Sequence, residues 1–224
     1  SSTAQTDAAG FYSFAGAPAG YSYTLTPSKT NYSFNPSSAS LPNLNGNGST
    51  NFTATPAAAT AQLAPLADAY VRGGTSAGIN FGTATQLVSR LASSASNTYE
   101  SYLTFDVGQQ STVSNVRLRL YGRLSSGTNL AVSVYSVADT TWTETGIKWS
   151  NKPAAGALLR TTTVVNSTAA FYEWDITNYV RGEINAGRTR ISLVLRNTAT
   201  TSNDATFNSR QATTNQPRLL VTTP

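Results

Sequence analysis

The sequence predicts an all-β protein made of two consecutive β-sandwich regions. Aromatic residues make up 10% of the chain, with 11 Tyr and 8 Phe, and Thr and Val are abundant; these residues favour strands. Short segments alternate apolar and polar residues at period two, and turn residues separate them. The predicted fold class is an incomplete small Ig-like or prealbumin-like β-sandwich followed by a β-jelly-roll sandwich.

The first region, residues 1–55, is predicted as a series of short strands. In "YSYTLTPS", Tyr21, Tyr23 and Leu25 fall on one face at period two. The later segments "NYSFNPSS", "ASLPNLNGNG" and "STNFTAT" are separated by Pro and Asn-Gly turn signals. Residues 56–65, "PAAATAQLAP", have no period and are predicted to be an Ala/Pro-rich linker.

The second region, residues 66–224, contains segments with β-branched or alternating cores, such as "ESYLTFDV", "VSNVRLRLYGRL" and "RISLVLRN". About seven to nine strands at this spacing predict a sandwich or jelly roll. The segment "TNYVRGEINAG" is the one predicted helix. Thr177 is expected to cap it, Tyr179, Val180 and Ile184 to face inward, and Gly187 to end it.

Composition excludes several classes of function. The chain has no Cys and no His, which rules out a Ser-His-Asp triad, a Cys nucleophile and an ordinary zinc site. None of the ten acids lies in a motif that requires two facing carboxylates. The protein is therefore predicted not to be an enzyme and to require no cofactor. No segment is apolar over the roughly 18 residues of a membrane span.

The net charge of +5 is unevenly distributed. Residues 1–56 hold one acid, Asp7, and one base, Lys29, so the whole excess lies in the second region. An acidic polysaccharide is therefore a possible partner. Nucleic acid is not predicted, because the chain has no Lys/Arg run and no nucleic-acid motif.

Arginines supply the candidate binding residues of the second region. In "VRLRLYGR" and "RISLVLR", Arg and Tyr alternate with apolar residues, so neighbouring strands would carry an Arg/Tyr ladder on one solvent face. Guanidinium groups bind carboxylates in a bidentate manner. An ordinary solvated sheet face is the alternative interpretation. Including two arginines near turns, the candidate glycan-binding residues are Arg117, Arg119, Tyr121, Arg123, Arg190, Arg196, Arg72 and Arg210.

The segment "TTWTETGIKWSNKP" allows two interpretations. Trp142 and Trp149 flank Glu144 and would form either a sugar-stacking platform with a carboxylate or a structural element in which Glu144 anchors a loop. The structural interpretation is favoured. Trp174, which alternates with Glu173 and Asp175, is predicted to lie in the core.

Residues 66–222 resemble the DNRLRE-type domain, which is related to a carbohydrate-binding module family that includes alginate-binding modules. The matching pieces include "ADAYVRGG…NFGTATQL", "SYLTFDV", "WDITNYV" and a W-x-E-x-x-I-x-W-x-N-x-P stretch. This resemblance implies a jelly roll in a secreted or surface protein, with carbohydrate binding in some members. It also raises the possibility of a structural calcium ion, for which the weak candidates are Asp68, Asp106 and Asp175.

Residues 1–55 resemble the later part of a carboxypeptidase-regulatory or Cna-B-type repeat, without its leading strands. This resemblance motivates the leading functional hypothesis, an extracellular structural or adhesive protein. Copies would assemble into a cell-surface fibre by strand complementation. Carbohydrate binding to an acidic polysaccharide, and a trimmed fragment of a larger surface protein, are the alternatives.

The fibre hypothesis specifies an assembly edge in the first residues of the chain. "TAQT" and "FYSFA" are expected to pair through "DAAG", with Phe11 or Tyr12 and Phe14 facing a core. A second copy is predicted to supply the missing partner strand. The proposed edge residues are Thr3, Gln5, Phe11, Tyr12 and Phe14.

Overall fold

The structure, a computed structural model, describes residues 1–127 and 129–223. The chain forms two compact units, Ser1–Ala58 and Ala59–Pro224. Among the described residues there are fifteen strands and one α-helix, which confirms the predicted all-β class. No helix in the described ranges is long and apolar enough to cross a membrane.

The first unit consists of two separate two-stranded antiparallel ladders. β1 pairs with β3, and β2 pairs with β4. All residues of this unit are described, and none of them is buried. The ladders therefore do not enclose a core of their own. The strands are β1 (Tyr21–Leu25), β2 (Tyr32–Asn35), β3 (Ala39–Leu44) and β4 (Thr53–Pro56).

The predicted pairing of "TAQT" with "FYSFA" does not form a ladder. A turn is present, because the Asp7 amide donates to the Phe11 carbonyl at 2.9 Å and Asp7 Oδ1 accepts from the amides of Ala9 and Phe11. The turn is stabilised locally, but residues 1–20 contain no strand. Phe11 and Phe14 are 76% and 44% exposed and do not face a core. Tyr12, the predicted alternative to Phe11, is half-buried; its ring contacts Phe52 and its hydroxyl donates to the Thr50 carbonyl at 2.8 Å.

The second unit is a sandwich of two antiparallel sheets. The five-stranded sheet has the order β11-β10-β13-β8-β6, and the six-stranded sheet has the order β5-β15-β9-β14-β7 with β12 also paired to β9. Its elements are β5 (Ala59–Leu63), β6 (Ala67–Arg72), β7 (Gln86–Ser89), β8 (Tyr99–Asp106), β9 (Asn115–Leu124), β10 (Leu130–Val137), β11 (Leu158–Val164), β12 (Ala170–Asp175), α1 (Thr177–Asn185), β13 (Arg190–Asn197), β14 (Ala205–Asn208) and β15 (Arg218–Thr223).

The main core lies between the two sheets and is formed by the inward residues of alternating strands. Trp174 is fully buried, as predicted, and its indole Nε1 donates to the Val132 carbonyl at 2.9 Å. The ring also makes an edge-on contact with Phe207 at 5.7 Å between ring centres. The buried indole thus fixes β12 in the six-stranded sheet against β10 in the other sheet.

A second apolar cluster covers the outer face of the five-stranded sheet. Ile147, Trp142 and Trp149 pack there on Ala69, Val71, Tyr102 and Val194. Trp142 Nε1 donates to Ser192 Oγ at 2.7 Å, which satisfies its polar group. Trp142 and Trp149 are therefore packing residues of a covering loop, in agreement with the favoured structural interpretation.

Part of the predicted linker is a strand. Residues 59–63 form β5, which pairs with β15 from Ala59 opposite Thr223 to Leu63 opposite Leu219. Leu63 packs against the main core. Three of the five residues of β5 are Ala or Thr, so the sequence shows little contrast between its two faces, and for this reason alternation does not reveal the strand.

The predicted helix is α1, but the group that caps its N-terminus is not the one expected. Thr177 is its first residue, and both its amide and its hydroxyl donate to Asp175 Oδ1, at 3.0 and 2.6 Å. The capping acceptor is therefore the Asp175 carboxylate. Val180 is buried, and Tyr179 and Ile184 pack against the core. Gly187 follows the helix in the left-handed region at φ 74°.

Candidate functional site

The outer face of β9 carries a row of arginine and tyrosine side chains. Val116, Leu118 and Leu120 are fully buried, so the residues between them point to the opposite face. This alternation places Arg117, Arg119, Tyr121 and Arg123 in one row. At ~3.3 Å per residue, the row spans about 20 Å.

A carboxylate on the neighbouring strand lies between two of these arginines. Glu173 on β12 is opposite Arg119. Its Oε2 is 3.1 Å from Arg117 Nη1, and its Oε1 is 3.7 Å from Arg119 Nε. Arg119 Nε is buried and makes no hydrogen bond within the described residues. The Glu173 carboxylate thus neutralises part of the positive charge at the centre of the row.

Phe171 provides an exposed aromatic ring beside the same row. The guanidinium carbon of Arg119 lies 3.8 Å from the centre of the Phe171 ring. Tyr121 also makes an edge-on contact with Phe171, with 4.9 Å between ring centres. Phe171 remains 44% exposed. A large apolar ring that stays exposed between polar groups is available to contact a ligand.

One further arginine, Arg218, lies beside the row. Arg218 on β15 lies opposite Arg119, on the side away from Glu173. Arg123 is exposed and makes no hydrogen bond or ion pair with any residue the structure describes. We call the whole set the β9 surface; it comprises Arg117, Arg119, Tyr121, Arg123, Phe171, Glu173, Asp175 and Arg218.

The β9 surface is positively charged and has the groups that bind anionic sugars. Four arginines face two carboxylates, Glu173 and Asp175. Guanidinium groups donate paired hydrogen bonds to carboxylates, and aromatic rings provide flat apolar area for the face of a sugar. Because its residues lie on the outer face of a sheet, this surface is suited to an extended ligand.

Arg190 and Arg196 do not join this row, contrary to the predicted ladder. Their strand, β13, pairs with β10 and β8 in the five-stranded sheet, whereas β9 belongs to the other sheet. The alternation in "RISLVLR" assigns each residue to a face but not to a sheet. Arg196 is also occupied, since its Nε lies 3.0 Å from Glu100 Oε1.

Arg72 and Arg210 have structural contacts away from the β9 surface. Arg72 Nε donates to the Ser96 carbonyl at 3.1 Å. Arg210 Nη1 donates to the Leu66 carbonyl at 2.7 Å and lies 3.3 Å from Glu144 Oε1. Both arginines therefore connect loops of the second unit.

The three calcium candidates are not brought together. Asp106 Oδ1 accepts from the Gly108 amide, and Asp175 Oδ1 accepts from Thr177. Asp68 lies on the other sheet from Asp175. Within residues 1–127 and 129–223, no group of three or more acidic side chains is placed to hold a metal ion.

Asp68 has an unusual environment. It is fully buried; its Oδ2 accepts from the Arg210 amide at 2.7 Å, and its Oδ1 has no partner in the described part of the chain. Burial, with a smaller contribution from the nearby Glu144 carboxylate, raises the pKa of Asp68 to about 7. The Asp68 amide donates to Glu144 Oε1 at 3.0 Å, so Glu144 anchors its loop as expected.

Phe171 and Arg218 are members of the β9 surface that the sequence interpretation missed. Both follow from the same period-two rule. In "AFYEWDIT", an inward Trp174 requires an outward Phe171, and in "PRLLV", inward Leu219 and Val221 require an outward Arg218.

An antiparallel sandwich with an exposed row of arginines and aromatic rings is typical of a ligand-binding module. The family model of carbohydrate-binding module family 96 matches residues 59–223, and the chain belongs to this family. Such modules are non-catalytic. The match begins at the first residue of β5 and ends at the last residue of β15.

The chain is also similar to part of a known enzyme. A gellan lyase from Bacillus sp. is 26% identical over 168 residues, which cover 72% of this chain and 7% of that protein. The chain therefore matches only a small part of this relative.

Proposed function

We propose that the second unit binds an acidic polysaccharide through the β9 surface. The observation that carries this proposal is the guanidinium of Arg119, which lies 3.8 Å above the exposed ring of Phe171. A sugar carboxylate bound to this guanidinium would bring the sugar ring close to the aromatic ring. The carboxylate of a uronate residue would then bind the guanidinium, and its sugar ring would contact the aromatic ring.

The distribution of charge supports an anionic ligand. Arg123 has no partner among the described residues, and Arg117 shares the Glu173 carboxylate with Arg119. The row, about 20 Å long, therefore contains one guanidinium without a carboxylate partner, that of Arg123, and two that share a single carboxylate, which leaves it with capacity for added carboxylates. The module belongs to a carbohydrate-binding family, and this role implies an extracellular location.

Affinity electrophoresis and calorimetry with alginate, pectate and gellan test this proposal, with a neutral glucan as the comparison ligand. Arg117→Ala combined with Arg119→Ala should weaken binding to the acidic polymers by at least tenfold. Lys148→Ala, which removes one positive charge outside the β9 surface, should change it by less than twofold. Equal binding by the double variant, with circular dichroism showing that it is folded, would overturn the proposal.

Self-association through the first unit is a second candidate function, and it is the basis of the fibre hypothesis. Each strand of this unit pairs with a single partner, so both ladders have open edges. Phe11 and Phe14 add exposed aromatic area. A strand from a second copy would satisfy these edges and cover the rings.

Light scattering over a range of concentrations, with negative-stain microscopy, tests self-association. The chain should form elongated oligomers, and Phe11→Ser combined with Phe14→Ser should dissociate them. Leu158→Ser, at another exposed apolar position, is the matched control and should leave them intact. A monomer at all concentrations would rule this candidate out without affecting the carbohydrate-binding proposal.

A further inference from the structure

A groove of about 610 Å³ lies on the second unit, away from the residues of the β9 surface. It is formed by the end of β10 and the turn that follows it, by Gly156, by Tyr179 and Glu183 of α1, and by the residues that lead into β13. Its volume falls within the ~300–1,000 Å³ typical of pockets for small ligands. The groove is therefore large enough for a saccharide unit.

Arg190 in this groove has an unengaged guanidinium. It is exposed and makes no hydrogen bond, ion pair or ring contact with the residues described. The arginines nearest to it in sequence differ: Arg188 pairs with Glu183 through two nitrogens, and Arg196 pairs with Glu100. Arg190 is thus the guanidinium in the groove that is available to an added anion.

Tyr179 adds a second available donor to the groove. Its ring packs against the main core, which holds the side chain in place, and its hydroxyl makes no hydrogen bond within the described residues. Burial, together with the nearby Glu183 carboxylate, raises the pKa of Tyr179 to about 12. The phenol therefore remains protonated, and it can donate, at neutral pH.

The charged side chains that line the groove carry a net positive charge, which favours an anionic ligand. The lining contains two bases, Arg188 and Arg190, and one acid, Glu183, which leaves one positive charge in excess. Two further carboxylates are near the groove but do not line it: Asp106 lies opposite Arg190 on the neighbouring strand β8, and Asp139 lies between the lining residues Ala138 and Thr140. Asp106 accepts from the Gly108 amide, and Asp139 accepts from Thr141.

We propose that this groove is a second saccharide site, in which the Arg190 guanidinium and the Tyr179 hydroxyl bind the carboxylate of a uronate residue. The uronate class of ligand rests on the proposed function, but the site does not share residues with the β9 surface. Arg190 begins a strand of the five-stranded sheet, whereas β9 lies in the six-stranded sheet. One module would therefore hold two separate polysaccharide segments.

The stoichiometry of binding of a short ligand tests the inference. Trigalacturonate is the probe, because a short oligosaccharide of defined length allows the sites on each chain to be counted. Calorimetry should give two sites per chain for the wild type. Arg190→Ala combined with Tyr179→Phe should leave one site, as should Arg117→Ala combined with Arg119→Ala. The four substitutions together should abolish binding, and Lys148→Ala should retain two sites.

The outcomes separate the two proposals. One site in the wild type, lost only in the Arg117/Arg119 variant, overturns the groove site and leaves the proposed function standing. One site lost only in the Arg190/Tyr179 variant supports the groove and overturns the β9 surface. No binding of trigalacturonate to the folded wild-type chain overturns both. Thermal unfolding of each variant, within about 2 °C of the wild type, establishes that lost sites do not reflect lost folding.

Discussion

The guanidinium of Arg119 lies over the ring of Phe171, with 3.8 Å between its central carbon and the ring centre. The two residues are on neighbouring strands, β9 and β12, and the contact combines a charged planar group with an apolar plane. Cation–π contacts at exposed sites contribute ~0.5–1 kcal/mol. The pair therefore holds Arg119 in a defined position at the centre of the β9 surface.

Phe171→Leu should weaken binding to acidic polysaccharides about fivefold, which corresponds to ~1 kcal/mol. The substitution removes the aromatic plane that positions Arg119 and retains most of the apolar volume. Affinity electrophoresis in pectate gels measures the effect. Leu158→Ala, at another exposed apolar position, should retain wild-type migration. If both variants bind like the wild type, Phe171 has no part in the site.

Glu173→Gln should strengthen binding to the same polymers by about threefold to tenfold at low salt. The Glu173 carboxylate pairs with Arg117 and Arg119 and repels an anionic ligand. Partly exposed ion pairs contribute ~0–1 kcal/mol to stability, so the fold should tolerate the change. Titrations at 20 mM and 300 mM NaCl measure the effect, which should shrink at the higher salt because the charges are screened. Weaker binding would instead identify Glu173 as a ligand-contacting group.

The stability of the second unit should fall as the pH rises from about 4 to about 7, because of Asp68. Its pKa is about 7 in the folded chain and ~3.9 when unfolded. The stability from the buried, neutral Asp68 is therefore fully present below pH ~4 and is lost as pH rises through 7. Between these values the slope is about 1.4 kcal/mol per pH unit.

Urea unfolding at pH 4.5, 6 and 7.5 measures this dependence. Asp68→Asn should flatten it, because the amide keeps an acceptor for the Arg210 amide and has no charge to bury. Asp106→Asn, at the exposed end of β8, is the matched control and should keep the wild-type slope. An unchanged slope in Asp68→Asn would mean that Asp68 is not the group responsible.

Trp174→Ala should lower the free energy of unfolding by about 3–5 kcal/mol. The substitution leaves a cavity between the sheets and leaves the Val132 carbonyl without its donor. Trp149→Ala, in the partly buried layer over the five-stranded sheet, should have a smaller effect. Urea unfolding followed by circular dichroism compares the two. A larger loss in Trp149→Ala would place the main stabilising indole in the covering loop.

Alternation predicted the faces of individual strands well. The inward Val116, Leu118 and Leu120 and the buried Trp174 follow from period two alone, because each strand is half-buried in a sandwich. The same rule also determines that Phe171 and Arg218 point outward. Much of the β9 surface could therefore be predicted from the sequence.

The assignment of strands to sheets could not be predicted in this way. In the sequence, β9 and β13 both alternate Arg with apolar residues, but their positions depend on pairing between distant segments, which local alternation does not encode. The predicted ladder depended on the two strands being neighbours; they are not, so Arg190 and Arg196 lie on the other sheet from Arg117. β5 was missed for a different reason, since its small residues give weak contrast.

The pairing of β5 with β15 determines how the module would respond to force. Ala59, where the chain enters, lies opposite Thr223 at the end of the last strand, so both ends of the module meet at one edge of the sheet. Tension applied to these two ends would break the antiparallel ladder between β5 and β15 one hydrogen-bonded pair at a time. Peeling of β5 would therefore yield at low force and lengthen the chain, while the remaining strands, including β9, stay folded.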